Sequence, residues 1–183
     1  MLETDLGARS LEYDKFLVGI EHRLHVLSAE ASPTVSARNR LMTSLCLRDF
    51  IDRIIRGTNL LLGENDETTI MESTSVRCAV IAVEYVERIC QKGLTTSNLY
   101  KLFLAAFVVA FKISTDNDAG TEWWAHVGGY DSKTVNEMEV QLCCKLDWNL
   151  AMPPSCFQNQ RRNLELETTE AIRPQTVSEV SGI

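Results

Sequence analysis

Hydrophobic positions along the chain follow the spacing of amphipathic α-helices, and no segment shows the apolar–polar alternation that is typical of strands. Five helices are predicted in the middle of the chain, over residues 44–56, 74–91, 96–114, 121–127 and 131–146. The third is apolar almost all round, which predicts a central helix enclosed by the others. Gly57 is expected to end the first helix, followed by a solvated connection over 58–72. The pattern therefore predicts an all-α fold.

The segments on either side of this helical core differ from each other. Between Ser10 and about Ala29, apolar residues recur at helical spacing, which predicts a helix that docks on the core. From Pro153 onward the sequence turns polar, and its last dozen residues are expected to fray. We therefore divide the chain into an N-terminal segment with one docking helix (1–40), a helical core (41–152) and a polar C-terminal tail (153–183).

Composition and charge narrow the possible partners. Of the 183 residues, 45% are hydrophobic and 23% are charged, which is typical of a globular domain. The 25 acidic and 18 basic residues give a net charge of −7 without a basic run, which argues against nucleic-acid binding. The longest apolar run, from Leu102 to Phe111, is far shorter than the roughly 20 residues of a membrane-spanning helix. Neither nucleic acid nor a membrane is an expected partner.

The six cysteines form no Cys-x-x-Cys pair, and the acidic N-terminus does not resemble a targeting signal. They are therefore expected to be buried, reduced thiols of a protein in the cytoplasm, the nucleus or both. His22 and His25 stand three residues apart and could present two imidazoles to a metal. Because no third ligand lies nearby in sequence, two solvated histidines are the favoured interpretation.

Motifs of catalysis are missing from the sequence. It contains no glycine-rich phosphate loop, no Gly-x-Ser-x-Gly and no His-Glu-x-x-His. The chain is therefore predicted not to be an enzyme, with no catalytic residue, no metal, no cofactor and no small-molecule ligand.

Residues 44–150 carry a series of motifs that resembles the cyclin box, specifically that of the phosphate-regulating (P/U-type) cyclins of fungi and protists. Three helix-associated motifs match in order: DFIDRI from Asp49, YVERI from Tyr85 and AFKISTD from Ala110. The sequence WAHVGG from Trp124 and the pair Met138-Glu139 follow. The resemblance implies a single cyclin fold with a five-helix core, because only about 33 residues follow Leu150.

As a cyclin, the chain would be a regulatory subunit that binds a cyclin-dependent protein kinase and activates it by positioning the kinase's C helix. Position by position, the resemblance makes Lys112 and Glu139 polar contacts to the kinase; the alternative is an internal Lys–Glu bridge or two solvated ends. Ile113, Cys143, Trp148 and Leu150 match positions of apolar kinase contact. Trp148 could instead be a partly buried core residue.

The sequence departs from the family pattern at several positions. Thr115 replaces the first acid of the usual pair, Glu87 stands where Asp is common, and Ser44 falls where cell-cycle cyclins have an arginine. The Arg–Asp bridge of those relatives is therefore missing, and Arg53 is the expected substitute partner of Glu87. Two other functions stay open: a helical scaffold without a kinase partner, and a cyclin-fold transcription factor, which would need a basic face.

Overall fold

Seven α-helices make up the part of the chain that the computed structural model describes, which is residues 3–31, 46–64, 66, 69–91, 99–117 and 119–172. They are α1 (Glu3–Ala31), α2 (Leu47–Leu62), α3 (Thr74–Gln91), α4 (Leu99–Ser114), α5 (Gly120–Gly128), α6 (Ser132–Lys145) and α7 (Pro154–Ile172). A single 3-10 turn, Ile70–Glu72, precedes α3. No strand occurs in these ranges, and the predicted all-α class is confirmed.

The centre of the fold is α4, as the apolar pattern predicts. Every residue from 102 to 111 is buried, and the helix packs against α3 on one side and α6 on another. Its predicted start at residue 96 lies outside the described residues, whereas α3 has the predicted bounds, 74–91. Helix α4 is apolar but too short to cross a bilayer. No helix in the described ranges is both long enough and apolar enough to do so.

The first predicted core helix is longer than expected. Gly57 lies inside α2 and does not end it. At this residue α2 lies next to the Val127 side chain of α5, and the helix continues past it. The helix ends at Gly63, whose φ of 74° lets its N–H bond back to carbonyls in the last turn. Thr58 and Asn59, placed in a solvated connection by the sequence, are buried. The prediction for residues 58–62 was therefore wrong.

The short helix α5 and the helix α6 follow the sequence prediction closely. Gly129, with φ 74°, ends α5, and the Asp131 carboxylate accepts the Thr134 N–H at 2.8 Å to cap the start of α6. Trp124 is fully buried, and its ring meets the ring of Phe111 of α4 at 5.1 Å. The aromatic contact holds α5 on the central helix.

The N-terminal helix docks on the core as predicted, but it does so together with a helix that the sequence did not predict. Helix α7 occupies the segment expected to be a polar tail, and it packs along α1. The two helices approach closely at Gly19, where a Cβ atom would lie 2.4 Å from the Leu164 carbonyl oxygen. Across the same junction, the Thr168 hydroxyl donates to the Lys15 carbonyl at 2.8 Å.

Polar side chains tie the two terminal helices together and correct the interpretation of His22. Its Nδ1 lies 2.6 Å from Glu167 Oε2 of α7, so this histidine makes an interhelical contact and is not simply solvated. His25, the other histidine of the pair, is exposed, as expected from the sequence.

The partner of Glu87 also differs from the prediction. Arg23 of α1 reaches Glu87 Oε1 of α3 at 2.7 Å, and its other terminal nitrogen lies 3.2 Å from Glu167. Arg53 instead donates to the His126 carbonyl at 3.0 Å. The expected Arg53–Glu87 pair was wrong because α1, which lies distant in sequence, occupies that side of α3 and supplies the cation.

The six cysteines are free thiols with different surroundings. Cys78 is fully buried, and burial raises its pKa to about 12. Cys46 and Cys144 are exposed, so the expectation of uniformly buried cysteines was wrong at these two positions. Cys46 precedes α2, and Cys144 lies on the outer face of α6.

Candidate functional site

The ends of α4 and α6 form one surface with the segment that follows α6. We call it the end surface, and it consists of Lys112, Ile113, Glu139, Val140, Cys143, Cys144, Trp148 and Leu150. Six of these residues are the predicted binding residues. The packing of α4 against α6 places them on adjoining elements.

Lys112 and Glu139 form an ion pair across the two helices. Lys112 lies in the last turn of α4, and its Nζ is 2.6 Å from Glu139 Oε2 of α6. The lysine side chain is 41% exposed, whereas that of the glutamate is 14% exposed. The internal bridge that the sequence left open therefore exists in the chain by itself, at a position where the lysine still reaches solvent.

The carboxylate of Glu139 is only half used by this bridge. Its second oxygen, Oε1, is buried and has no hydrogen-bond partner among the described residues. Leaving a buried polar atom unpaired typically costs about 1–3 kcal/mol, which is why most such atoms are paired. The end surface thus contains an acceptor that the chain's own described groups do not satisfy.

Exposed apolar side chains neighbour this pair along the chain, since Ile113 follows Lys112 and Val140 follows Glu139. Ile113 is 47% exposed, Val140 is 56% exposed and Trp148 is 65% exposed. The alternative of a partly buried core tryptophan at position 148 was therefore wrong. Exposed apolar side chains that group on one surface mark a contact site, whereas scattered ones do not.

Cys143 and Leu150 lie at the base of the end surface. Cys143 is buried, and burial raises the pKa of its thiol, to which the nearby Glu139 charge adds. Leu150 is partly buried against the core. The Trp148 N–H donates to the Cys143 carbonyl at 2.9 Å, so the exposed tryptophan is joined by its backbone to this base.

Two members of the end surface, Val140 and Cys144, were missed by the sequence analysis. They stand four residues apart, one helical turn, on the face of α6 opposite Leu142. Both lie outside the core-facing positions of α6, although this alone does not make a residue exposed, since Cys143 also lies outside them and is buried. They were missed because α6 was interpreted only for its core-facing positions.

Comparisons with known proteins bear on this part of the chain. The family model of the cyclin N-terminal domain matches residues 68–151, a range that contains the whole end surface. No solved structure shows significant similarity to the chain.

Curated proteins that are similar to the chain include plant cyclins. Cyclin-P3-1 of Oryza sativa subsp. japonica is 29% identical over 112 residues, which are 60% of this chain and 48% of that protein. Cyclin-U3-1 of Arabidopsis thaliana is 23% identical over 163 residues, which are 87% of this chain and 63% of that protein. The chain thus spans less than two thirds of either relative. These matches support a cyclin family member, and they do not confirm the fungal or protist type.

Proposed function

We propose that the chain is a cyclin, which binds a cyclin-dependent protein kinase through the end surface and activates it by positioning the kinase's C helix. The proposal depends on one observation above all: an interhelical ion pair with an unsatisfied carboxylate oxygen lies beside exposed Ile113 and Trp148. The cyclin-domain match covers the same residues.

The chemistry of the end surface suits the backbone of a mobile helix. A protein kinase needs an ion pair between a strand lysine and a C-helix glutamate, and this pair forms only when the C helix lies in place. Lys112 can donate to carbonyl groups at a helix end, and the Glu139 carboxylate can accept a backbone N–H of the kinase once its side chain turns toward the partner. Ile113, Val140 and Trp148 would cover the apolar side of the same helix. Tryptophan is enriched among residues that dominate binding energy.

We further propose that the chain is a cyclin of the P/U type. The relatives carry P and U designations in their names, and this supports the type without deciding the process that the kinase serves.

Binding and activation are tested together with purified components. The chain is titrated against a panel of purified cyclin-dependent kinases, and phosphorylation of a generic protein substrate is measured with and without it. The proposal requires that at least one kinase binds and gains activity. If no member of a broad panel binds, a helical scaffold without a kinase partner becomes the better interpretation.

Charge reversal then tests the two polar contacts. Removing one partner of a desolvated charged contact typically costs about 2–5 kcal/mol of binding, so Lys112→Glu or Glu139→Lys should weaken kinase affinity about thirtyfold or more. Stability should also fall in both variants, because the Glu139 side chain is only 14% exposed and either reversal places two like charges side by side.

The matched control is Lys133→Glu, which reverses a cation of the exposed pair Lys133–Glu137 on the same helix. It should leave kinase affinity unchanged. The double variant with Lys112 and Glu139 exchanged separates binding from structure. If the double variant regains the stability of the natural sequence, and neither single variant changes kinase affinity, then the pair has only a structural role.

A further inference from the structure

The segment after α6 has an unusual backbone. Asp147 and Trp148 both lie in the left-handed region, with φ of 53° and 57°. The Asp147 N–H bonds to the Cys144 carbonyl at 3.0 Å and the Trp148 N–H to the Cys143 carbonyl at 2.9 Å, the paired pattern that ends many helices. Glycine usually occupies the first of these positions, and a bulky residue such as tryptophan is a genuine outlier in this region. Such a conformation persists only where the surrounding structure enforces it.

Helix α3 supplies that enforcement by binding three successive carbonyls of the segment. The Tyr85 hydroxyl donates to the Leu150 carbonyl at 2.7 Å. One terminal nitrogen of Arg88 donates to the Asn149 carbonyl at 3.3 Å and to the Ala151 carbonyl at 3.2 Å, and the other donates to Ala151 at 3.2 Å. We call Tyr85 and Arg88 the carbonyl clamp.

The clamp residues are themselves held in place on α3. Arg88 Nε is 2.8 Å from Glu84 Oε1, one turn earlier, and the guanidinium lies 5.8 Å from the centre of the Tyr85 ring. The Tyr85 side chain is buried, and that of Arg88 is only 22% exposed. Trp148, by contrast, projects its ring outward. Tyr85 therefore acts on the backbone from the buried side, whereas Arg88 binds it from the edge of the surface.

We infer that Tyr85 and Arg88 are positioning residues, which hold Trp148 in its left-handed conformation before a partner arrives. This inference rests on the proposed function, because it assigns the clamp a role in kinase affinity. An interface that is already ordered avoids the entropy cost of ordering it on binding. Without the clamp, Trp148 would relax toward the conformations that bulky residues prefer, and the kinase would have to restore the bound one.

Hydrogen exchange tests the clamp without any kinase. In Arg88→Gln and in Tyr85→Phe, the backbone amides of residues 147–150 should exchange about tenfold faster, while the amides of α4 keep their protection. The control is Arg48→Gln, which removes two hydrogen bonds to Glu21 at the α1–α2 contact and should leave residues 147–150 unchanged. Unchanged exchange at these residues in both clamp variants would overturn the inference. Tyr85→Phe keeps the buried ring, so it gives the answer even where Arg88→Gln fails to fold.

A double-mutant cycle tests whether Arg88 affects kinase affinity through Trp148. It uses a kinase from the panel that has been found to bind the chain. Arg88→Gln should weaken affinity about tenfold in the natural sequence and less than twofold when Trp148→Ala is already present. Additive losses would show that Arg88 does not act through Trp148, and would overturn the inference. Arg88→Lys keeps the positive charge but lacks the planar guanidinium that donates to two carbonyls. Its kinase affinity should therefore lie between those of the natural sequence and Arg88→Gln. If no kinase binds, the proposed function fails, and the exchange experiment still decides whether the clamp positions the segment.

Discussion

The interior of α4 and the end surface differ sharply although they share a helix. Residues 102–111 are all buried, whereas Lys112 and Ile113, the next two residues, are exposed. The change occurs where the helix passes beyond the packing of its neighbours. Each side chain before that point has a structural role fixed by its volume, and each one after it is available for contact with another molecule. A binding surface can thus be built on the end of a core helix without weakening the core.

Two tryptophans make the same contrast with one residue type. Trp124 is fully buried, with the rings of Phe111 and Phe107 at 5.1 and 6.0 Å. Trp148 is 65% exposed. Loss of the first ring should therefore affect folding, and loss of the second should affect binding.

The largest expected effect is that of Trp124→Ala. Removing a buried aromatic side chain leaves a cavity and typically costs about 3–5 kcal/mol. Urea unfolding of the purified variant measures the loss. A change below about 1 kcal/mol would contradict the placement of this ring at the centre of the α4–α5 contact.

A substitution that adds volume, instead of leaving a cavity, tests the packing of the α4 interior. Ala106 is fully buried, so Ala106→Leu should overpack the core and cost about 1–3 kcal/mol, seen as a lower melting temperature. Ala151 is exposed, and the same substitution there should be nearly neutral. Equal melting temperatures for the two variants would mean that this face of α4 is not closely packed.

Glycine substitutions extend the comparison to the α1–α7 junction. A Cβ atom at Gly19 would meet a backbone oxygen that cannot move aside, and Gly19→Ala should cost about 1–3 kcal/mol. At Gly57 a Cβ atom would meet side-chain atoms at 3.7 Å, which is ordinary contact. Gly57→Ala should therefore stabilise α2 by about 0.5–1 kcal/mol, because alanine favours the helix interior. Thermal unfolding should shift in opposite directions; shifts of the same sign would contradict the close approach of α1 and α7.

The smallest effect on stability is expected for Trp148→Ala. A surface substitution usually changes the free energy of unfolding by less than about 0.5 kcal/mol, and little of this side chain is buried. The same variant should lose kinase affinity if the end surface binds as proposed. A large loss of stability with unaltered affinity would place Trp148 in the core and reverse the comparison.

The sequence predicts the interior of this molecule better than its periphery. Helix α3 was predicted with its observed bounds because its buried positions are nearly all apolar and recur at helical spacing. Helix α7 was missed because its buried positions include Gln160 and Thr168, whose polar side chains hide the period. Gly57 was interpreted as a helix end because the sequence does not show that α5 packs over it.

The candidate site was also predicted only in part from the sequence. The resemblance to cyclins supplied Lys112 and Glu139, and the structure places them in contact. It could not supply the left-handed backbone of Trp148, since that conformation depends on hydrogen bonds from Tyr85 and Arg88, 60 or more residues earlier. Long-range polar contacts of this kind leave no periodic trace in a sequence.

The pairing of α1 with α7 has a consequence for the order in which the molecule assembles. The Thr168–Lys15 hydrogen bond joins positions 153 residues apart, whereas α3, α4, α5 and α6 pack largely on helices near them in sequence. Contacts between nearby helices form fast, and a contact across a long loop must first offset the entropy of closing it. We therefore expect the inner helices to assemble first and the α1–α7 pair to join them late.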